Sequence, residues 1–153
     1  MDAKLVNPFV DAFTAVMPQI GFQDIKRNKI SVCEHAVTSK GVTVLVGFTK
    51  EIKGNVAYNM TENTARLIAS TMMMGMPVDQ FDDMAQSAIS ELSNMLTANA
   101  ATNLSSLGYN VDISTPSLSV GDAFKVKVSS EAYLSVEMDV GGGHLVEIDI
   151  AVQ

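Results

Sequence analysis

The sequence predicts an α/β domain of the two-layer α+β kind, with three helices over one mostly antiparallel sheet of six strands. Stretches whose apolar residues recur every three or four positions are separated by stretches where they recur every second position, the two signatures of helix and strand. The final extended pair is the cleanest case: Leu134, Val136, Met138 and Val140 alternate with Ser135, Glu137 and Asp139, and Val146, Ile148 and Ile150 with Glu147 and Asp149. Such alternation predicts a sheet with one buried face and one wet face. A chain of 153 residues, 47% of them hydrophobic, builds one full core without metal or disulfide staples, so residues 1–153 are expected to form a single domain.

Each element has its own reason. From Ala3 to Val16, the spacing of Leu5, Val6, Phe9, Val10, Phe13 and Val16 predicts an amphipathic helix stopped near Pro18 and Gly21. Extended runs follow at about Ile30 to Thr38, Val42 to Thr49 and Gly54 to Met60, read as a three-strand meander. Thr61 is placed to cap a second helix running to about Met74, with Gly75 and Pro77 at its stop. The third helix is predicted over Val78 to Leu107, ending at Gly108. Strands are predicted near Phe124 to Ser129, Ala132 to Val140 and Leu145 to Val152, with a short extended piece at Val111 to Ile113. The two halves thus repeat helix plus three strands, with an extra helix between them.

Composition excludes several functions. A net charge of −7, with 10 basic residues that form no cluster, argues against a nucleic-acid partner, because binding phosphates needs concentrated Lys and Arg. No apolar stretch approaches membrane-spanning length, and the first residues lack the pattern of a secretory signal, so a cytoplasmic location is expected. The single cysteine, Cys33, forms no internal disulfide, and His35 is too isolated to make a metal pair with it. Gly141-Gly142-Gly143 joins two strands, so it reads as a hairpin turn rather than a phosphate cradle, which runs from strand into helix. Met72, Met73, Met74 and Met76, with Met60 and Met84 nearby, read as core filler. His144 reads as a surface residue. Asn99 falls on the apolar stripe of the third helix, where an amide needs partners that the sequence does not identify.

The third helix carries the feature that stands out. Met84, Ala85, Ala88, Ile89, Leu92, Met95 and Leu96 gather into one apolar stripe at about 100° per residue. Glu91 and Asn94 fall outside it, three residues apart and therefore neighbours. Around them the outward positions are Ser87, Ser90, Thr97, Ala98 and Ala101, none long or charged. A solvated helix face usually bears Lys, Glu and Arg, so a smooth strip with two reaching polar groups predicts close approach by a partner surface.

Several stretches resemble the CheC, CheX and FliY family of response-regulator phosphatases. They are Gly54-Asn-Val-Ala-Tyr-Asn-Met60, Ser70-Thr-Met-Met-Met-Gly-Met76 and above all Asp83-Met-Ala-Gln-Ser-Ala-Ile-Ser-Glu-Leu-Ser-Asn-Met95, followed by Leu107-Gly108 and Val111-Asp-Ile113. The family's signature is a helical Glu-x-x-Asn preceded by a Ser and followed by small residues, and Ser87, Glu91 and Asn94 match it. Members often have Gly just beyond the Asn, where this chain has Ala98. Some relatives carry two such motifs; here there is one, because the first helix contains no Glu.

The resemblance implies hydrolysis of the aspartyl phosphate on a phosphorylated, CheY-like receiver domain. It implies Asn94 as the residue that holds the attacking water, Glu91 as the partner of the receiver's lysine, and Ser87, Ser90, Ala98 and Ala101 as the contacting strip. It implies a homodimer joined through sheet edges. It implies Mg²⁺ in the receiver, with no cofactor and no metal ligand in this chain. Two other classes stay open: a non-catalytic module that sequesters the receiver, and a structural relative of the flagellar switch proteins.

Overall fold

The computed structural model describes residues 3–153, with the side chains of Ala3, His35, Ser129 and Ser130 outside the description. The reading of His35 as too isolated to pair with Cys33 therefore lies outside the described residues. A short 3-10 turn at Ala3–Leu5 leads into α1 (Asn7–Ile20), and then come β1 (Lys26–Lys50), β2 (Gly54–Met60), α2 (Glu62–Met72), α3 (Asp83–Ser106), β3 (Val111–Ile113), β4 (Ser117–Asp139) and β5 (Leu145–Val152).

The helix boundaries shift from those predicted for local reasons. Pro8 starts α1 where its missing N–H is no loss. The helix continues through Pro18, and Gly21, at φ 119°, closes it with its N–H on the Pro18 carbonyl at 3.2 Å. Thr61 caps α2 as expected, its hydroxyl oxygen accepting from Thr64 N–H at 3.2 Å. α3 begins five residues later than predicted, because Asp82 rather than Val78 sets its start: the Asp82 carboxylate accepts from Ala85 N–H at 3.0 Å.

All six predicted extended runs lie in strands, but four of them fuse in pairs. The runs around residues 30–38 and 42–49 become the 25-residue β1, and those around 124–129 and 132–140 become the 23-residue β4. The first half of the chain is therefore a helix followed by one long and one short strand, the second half places the three-residue β3 ahead of such a pair, and the sheet has five strands in the order β2-β5-β4-β1-β3, with β2 also pairing with β1. All pairings are antiparallel. β1 and β4 run together from Lys26↔Asp139 to Leu45↔Ser117, with register shifts at three points.

The shift between Thr38 and Lys40 shows why β1 does not break at Ser39-Lys40-Gly41. The buried Asn59 side chain from β2 accepts from Lys40 N–H at 2.9 Å and from the Thr43 hydroxyl at 3.0 Å, and donates to the Thr38 carbonyl at 2.9 Å. One amide thus replaces the ladder bonds that the irregularity removes. Gly41 is needed here: its φ is 145°, and a Cβ would sit 2.9 Å from Glu62 N.

The three helices cover one sheet face. Val42, Val44, Val46 and Phe48 of β1 and Ile148 and Ile150 of β5 point into this core against Phe9, Phe13 and Met17 of α1 and Ile89, Leu92 and Leu96 of α3. Phe9 and Phe48 stack at 5.7 Å between ring centroids. The other face is less wet than the alternation predicts. Val37, Ala57, Val128, Tyr133 and Ala151 form a second small cluster, and Asp149, expected in solvent, is fully buried.

Candidate active site on the third helix

α3 is seated by an inward row of Ala85, Ile89, Leu92, Leu96, Ala100 and Leu104, all buried. Two buried hydroxyls accompany it. Ser93 donates to the Ile89 carbonyl at 2.9 Å, and Thr97 donates to the Ser93 carbonyl at 2.8 Å. The Tyr58 hydroxyl of β2 lies 2.8 Å from the Thr97 hydroxyl, and burial raises this phenol above its usual range, outweighing that bond. Thr97, predicted to face outward, is therefore an inward anchor. The prediction failed because a lone Thr at the margin of the stripe reads as polar until its partner on the sheet is known.

With the helix so fixed, Glu91 and Asn94 both project into solvent, and so do Ser87 and Ala98; Ser90 and Ala101 are half-buried at the flank. Ser87, Ser90, Glu91 and Asn94 line a cleft of about 750 Å³. Its opposite wall is the segment from Ile113 to Leu118, which sequence reasoning did not assign to the site. That wall is held by Ser114, whose N–H donates to the Gly47 carbonyl and whose hydroxyl oxygen accepts from Gly47 N–H, both at 2.8 Å. Pro116 and Leu118 complete it. A signal was present: Leu118 and Val120 alternate with Ser117 and Ser119, the start of a strand predicted to begin only at Phe124.

The site is electrostatically one-sided. Between Arg66 and Lys125 the chain has no Lys, Arg or His, and Asp79, Asp82, Asp83, Glu91, Asp112 and Asp122 in that interval are all exposed. Asn94 is the carboxamide at the mouth of the cleft, able both to donate and to accept. Among the described residues no group of three or more His, Cys, Asp or Glu is arranged to hold a metal ion, and no helix is long and apolar enough to cross a membrane.

Gly141, Gly142 and Gly143 all have positive φ, as a hairpin turn requires. His144 is half-buried rather than free on the surface, its Nδ1 3.2 Å from the Thr64 hydroxyl. Asn99 now has an account: its Oδ1 lies 3.4 Å from Asn103 Nδ2, which donates to the Pro8 carbonyl at 2.9 Å, tying α3 to α1. Met60 is buried, and Met72 and Met73 pack against the core, but Met74, Met76 and Met84 are 96%, 59% and 64% exposed. Those three are not filler. Met84 lies two turns before Glu91 and so on the same outward side of the helix, while its neighbour Ala85 takes the inward position.

Comparison with known proteins identifies the family. Residues 42–139 match the family model described as chemotaxis phosphatase CheX. The chain is 33% identical over 127 residues to the CheY-P phosphatase CheX of Thermotoga maritima, covering 83% of this chain and 82% of that one. The fold is similar to that of the CheX-CheY-BeF3-Mg²⁺ complex from Borrelia burgdorferi, with a TM-score of 0.83 and 26% identity over 97% of each chain. It is also similar to the chemotaxis protein CheX from Vibrio vulnificus, with a TM-score of 0.87 and 20% identity over 99% of this chain and 100% of that one. With a family model spanning more than half its length and a relative at this identity, the chain belongs to the chemotaxis phosphatase CheX family.

Proposed function

We propose that this chain hydrolyses the aspartyl phosphate of a phosphorylated, CheY-like receiver domain, with Asn94 and Glu91 as the two residues that act on the partner. One observation carries the reading: a carboxamide and a carboxylate stand three residues apart at a cleft of about 750 Å³, on an exposed helix face where their close neighbours Ser87, Ser90 and Ala98 are small.

The chemistry fits so sparse a site. Transfer of a phosphoryl group to water has a loose transition state, so positioning and electrostatics supply most of the acceleration and little base catalysis is needed. The water oxygen bonds to phosphorus, the bond from phosphorus to the aspartyl oxygen breaks, and the receiver regains its carboxylate as inorganic phosphate leaves. Asn94 holds the water in line by accepting its hydrogen and donating to a phosphoryl oxygen. Glu91 pairs with the receiver's lysine and fixes the register of α3. Mg²⁺ would be held by the receiver's own residues and would neutralise phosphoryl charge. Longer side chains at Ser90 or Ala98 would keep Asn94 from a recessed phosphoryl group.

The same reading includes a homodimer. Its support is the outer edge of β1, where Ile30 and Val32 are exposed along a stretch that pairs with β4 on one side.

The deciding experiment is the decay of phosphorylated receiver domains with and without this protein, wild type against Asn94→Ala. Acceleration that depends on Asn94 supports the phosphatase. Binding without acceleration makes the chain a sequestering module.

A further inference from the structure

Met76 and Met84 share a surface depression of about 410 Å³ with Pro77 and Asp79. It adjoins the Glu91 and Asn94 cleft at the start of α3, where Asp83 lines the cleft and its neighbour Met84 lines the depression. Met84 precedes Glu91 by seven residues, which is two turns, so the two side chains leave the same side of the helix about 10 Å apart along its axis. The segment presenting Met76 is held in place. Ser70 donates its hydroxyl to the Met76 carbonyl at 2.7 Å and accepts Gly75 N–H on its own carbonyl at 2.8 Å, while Arg66 donates to the Asp79 carbonyl at 3.0 Å. The exposed methionines are thus a fixed feature of the surface.

We infer that Met76 and Met84 form a second contact zone for the phosphorylated receiver, an apolar centre with an acidic rim that sets how tightly a given receiver is held. This rests on the phosphatase reading above. A specific interface covers about 800 Å² on each partner, a footprint roughly 30 Å across. A receiver centred on Glu91 and Asn94 therefore reaches a surface about 10 Å away on the same helix face. The charge pattern names the kind of receiver surface that fits. Asp79, Asp82 and Asp83 ring the methionines and no base lies between Arg66 and Lys125, so the matching patch bears apolar side chains bordered by Lys or Arg. Unbranched, polarizable methionine adapts to partners of different shape, which suits one phosphatase to more than one receiver.

The test uses the full chain and the receiver whose decay it accelerates. The double variant Met76→Ser/Met84→Ser should raise KM about 5- to 20-fold and leave the single-turnover rate at saturation unchanged. Met84→Leu should restore most of the affinity, and Leu107→Ser, at the opposite end of α3, should match wild type. Asp79→Lys should raise KM by an amount that shrinks as salt is added. If the double serine variant shows the wild-type KM, the second contact zone is overturned while the phosphatase reading stands. If wild type accelerates the decay of no receiver, the phosphatase reading falls and this inference falls with it.

Discussion

The Tyr58 hydroxyl sits 2.8 Å from Thr97 Oγ1, inside the core, three residues along α3 from the exposed Asn94. This contact fixes the rotation of α3 on the sheet, and so the direction in which Asn94 points. The two partners are not equivalent. Tyr58→Phe leaves Thr97 still donating to Ser93, and loss of one neutral hydrogen bond costs about 1 kcal/mol. Thr97→Val leaves a buried phenol without an acceptor, which costs about 1–3 kcal/mol. Urea unfolding should rank Thr97→Val as the less stable, with the double variant no worse than Thr97→Val alone. Equal effects of the two single changes would mean that the phenol has another acceptor.

Asn94 and Glu91 should separate kinetically. If Asn94 acts only on the water in the transition state, Asn94→Ala lowers kcat by about 100-fold or more and leaves KM near wild type. Glu91→Ala removes a pairing made on binding, so it raises KM first, and Glu91→Lys, which meets a lysine with a lysine, raises it further. Steady-state decay at varied receiver concentration resolves the two. A rise in KM for Asn94→Ala with kcat intact would reverse the assignment.

Local chemistry was legible in the sequence, and non-local chemistry was not. The Thr61 cap, the Gly108 stop and the triple-glycine hairpin each follow from the backbone demands of a few adjacent residues, and each stands where expected. The exposed Glu91 and Asn94 pair followed from helical period alone, while its assignment to a reaction followed from resemblance. What escaped depends on residues far apart in the chain. β1 continues through Ser39-Lys40-Gly41 because Asn59 repairs it from another strand. The wall from Ile113 to Leu118 faces Asn94 only because Ser114 is fastened to Gly47. No window of sequence contains both members of either pair.

The outer edge of β1 predicts association. Val32 is 73% exposed and Ile30 44%, on a strand segment whose far edge pairs with nothing among the described residues. An exposed apolar edge strand is a template for a second chain. Sedimentation equilibrium at micromolar concentration should give a homodimer, and Val32→Asp should shift it to monomer with unchanged circular dichroism. A wild-type protein that sediments only as monomer removes the dimer from the proposal.

Asp149 predicts an unusual dependence of stability on pH. It lies fully buried on β5, with neither carboxyl oxygen in a well-formed hydrogen bond. Burial first, and then the neighbouring Glu147, push its pKa from 3.8 to about 9, against smaller opposing effects from Ser135 and Lys40. Tyr133 and Cys33 face the same cluster, and the Tyr133 phenol is itself raised, by burial and then by Asp149. Burial acts to raise Glu147 too, but the neighbouring Asp149 and Lys40, whose ammonium is 3.0 Å away, bring it below its usual range. Asp149 therefore keeps its proton while Glu147 stays charged. Because the folded pKa of Asp149 is the higher one, the stability it contributes is fully present below pH 3.8 and is lost as pH rises toward 9, with a slope of at most about 1.4 kcal/mol per unit. Glu147 works in the opposite sense, its contribution fading only as pH falls below its usual 4.5. Between pH 5 and 9 the Asp149 effect dominates, so wild-type Tm should fall steadily across that range. Asp149→Asn keeps the shape and a donor for Glu147 but cannot ionise, so its Tm should be flat over the same range and exceed wild type at pH 8. A wild-type Tm that holds constant from pH 5 to 9 would show that Asp149 is already charged in the folded protein.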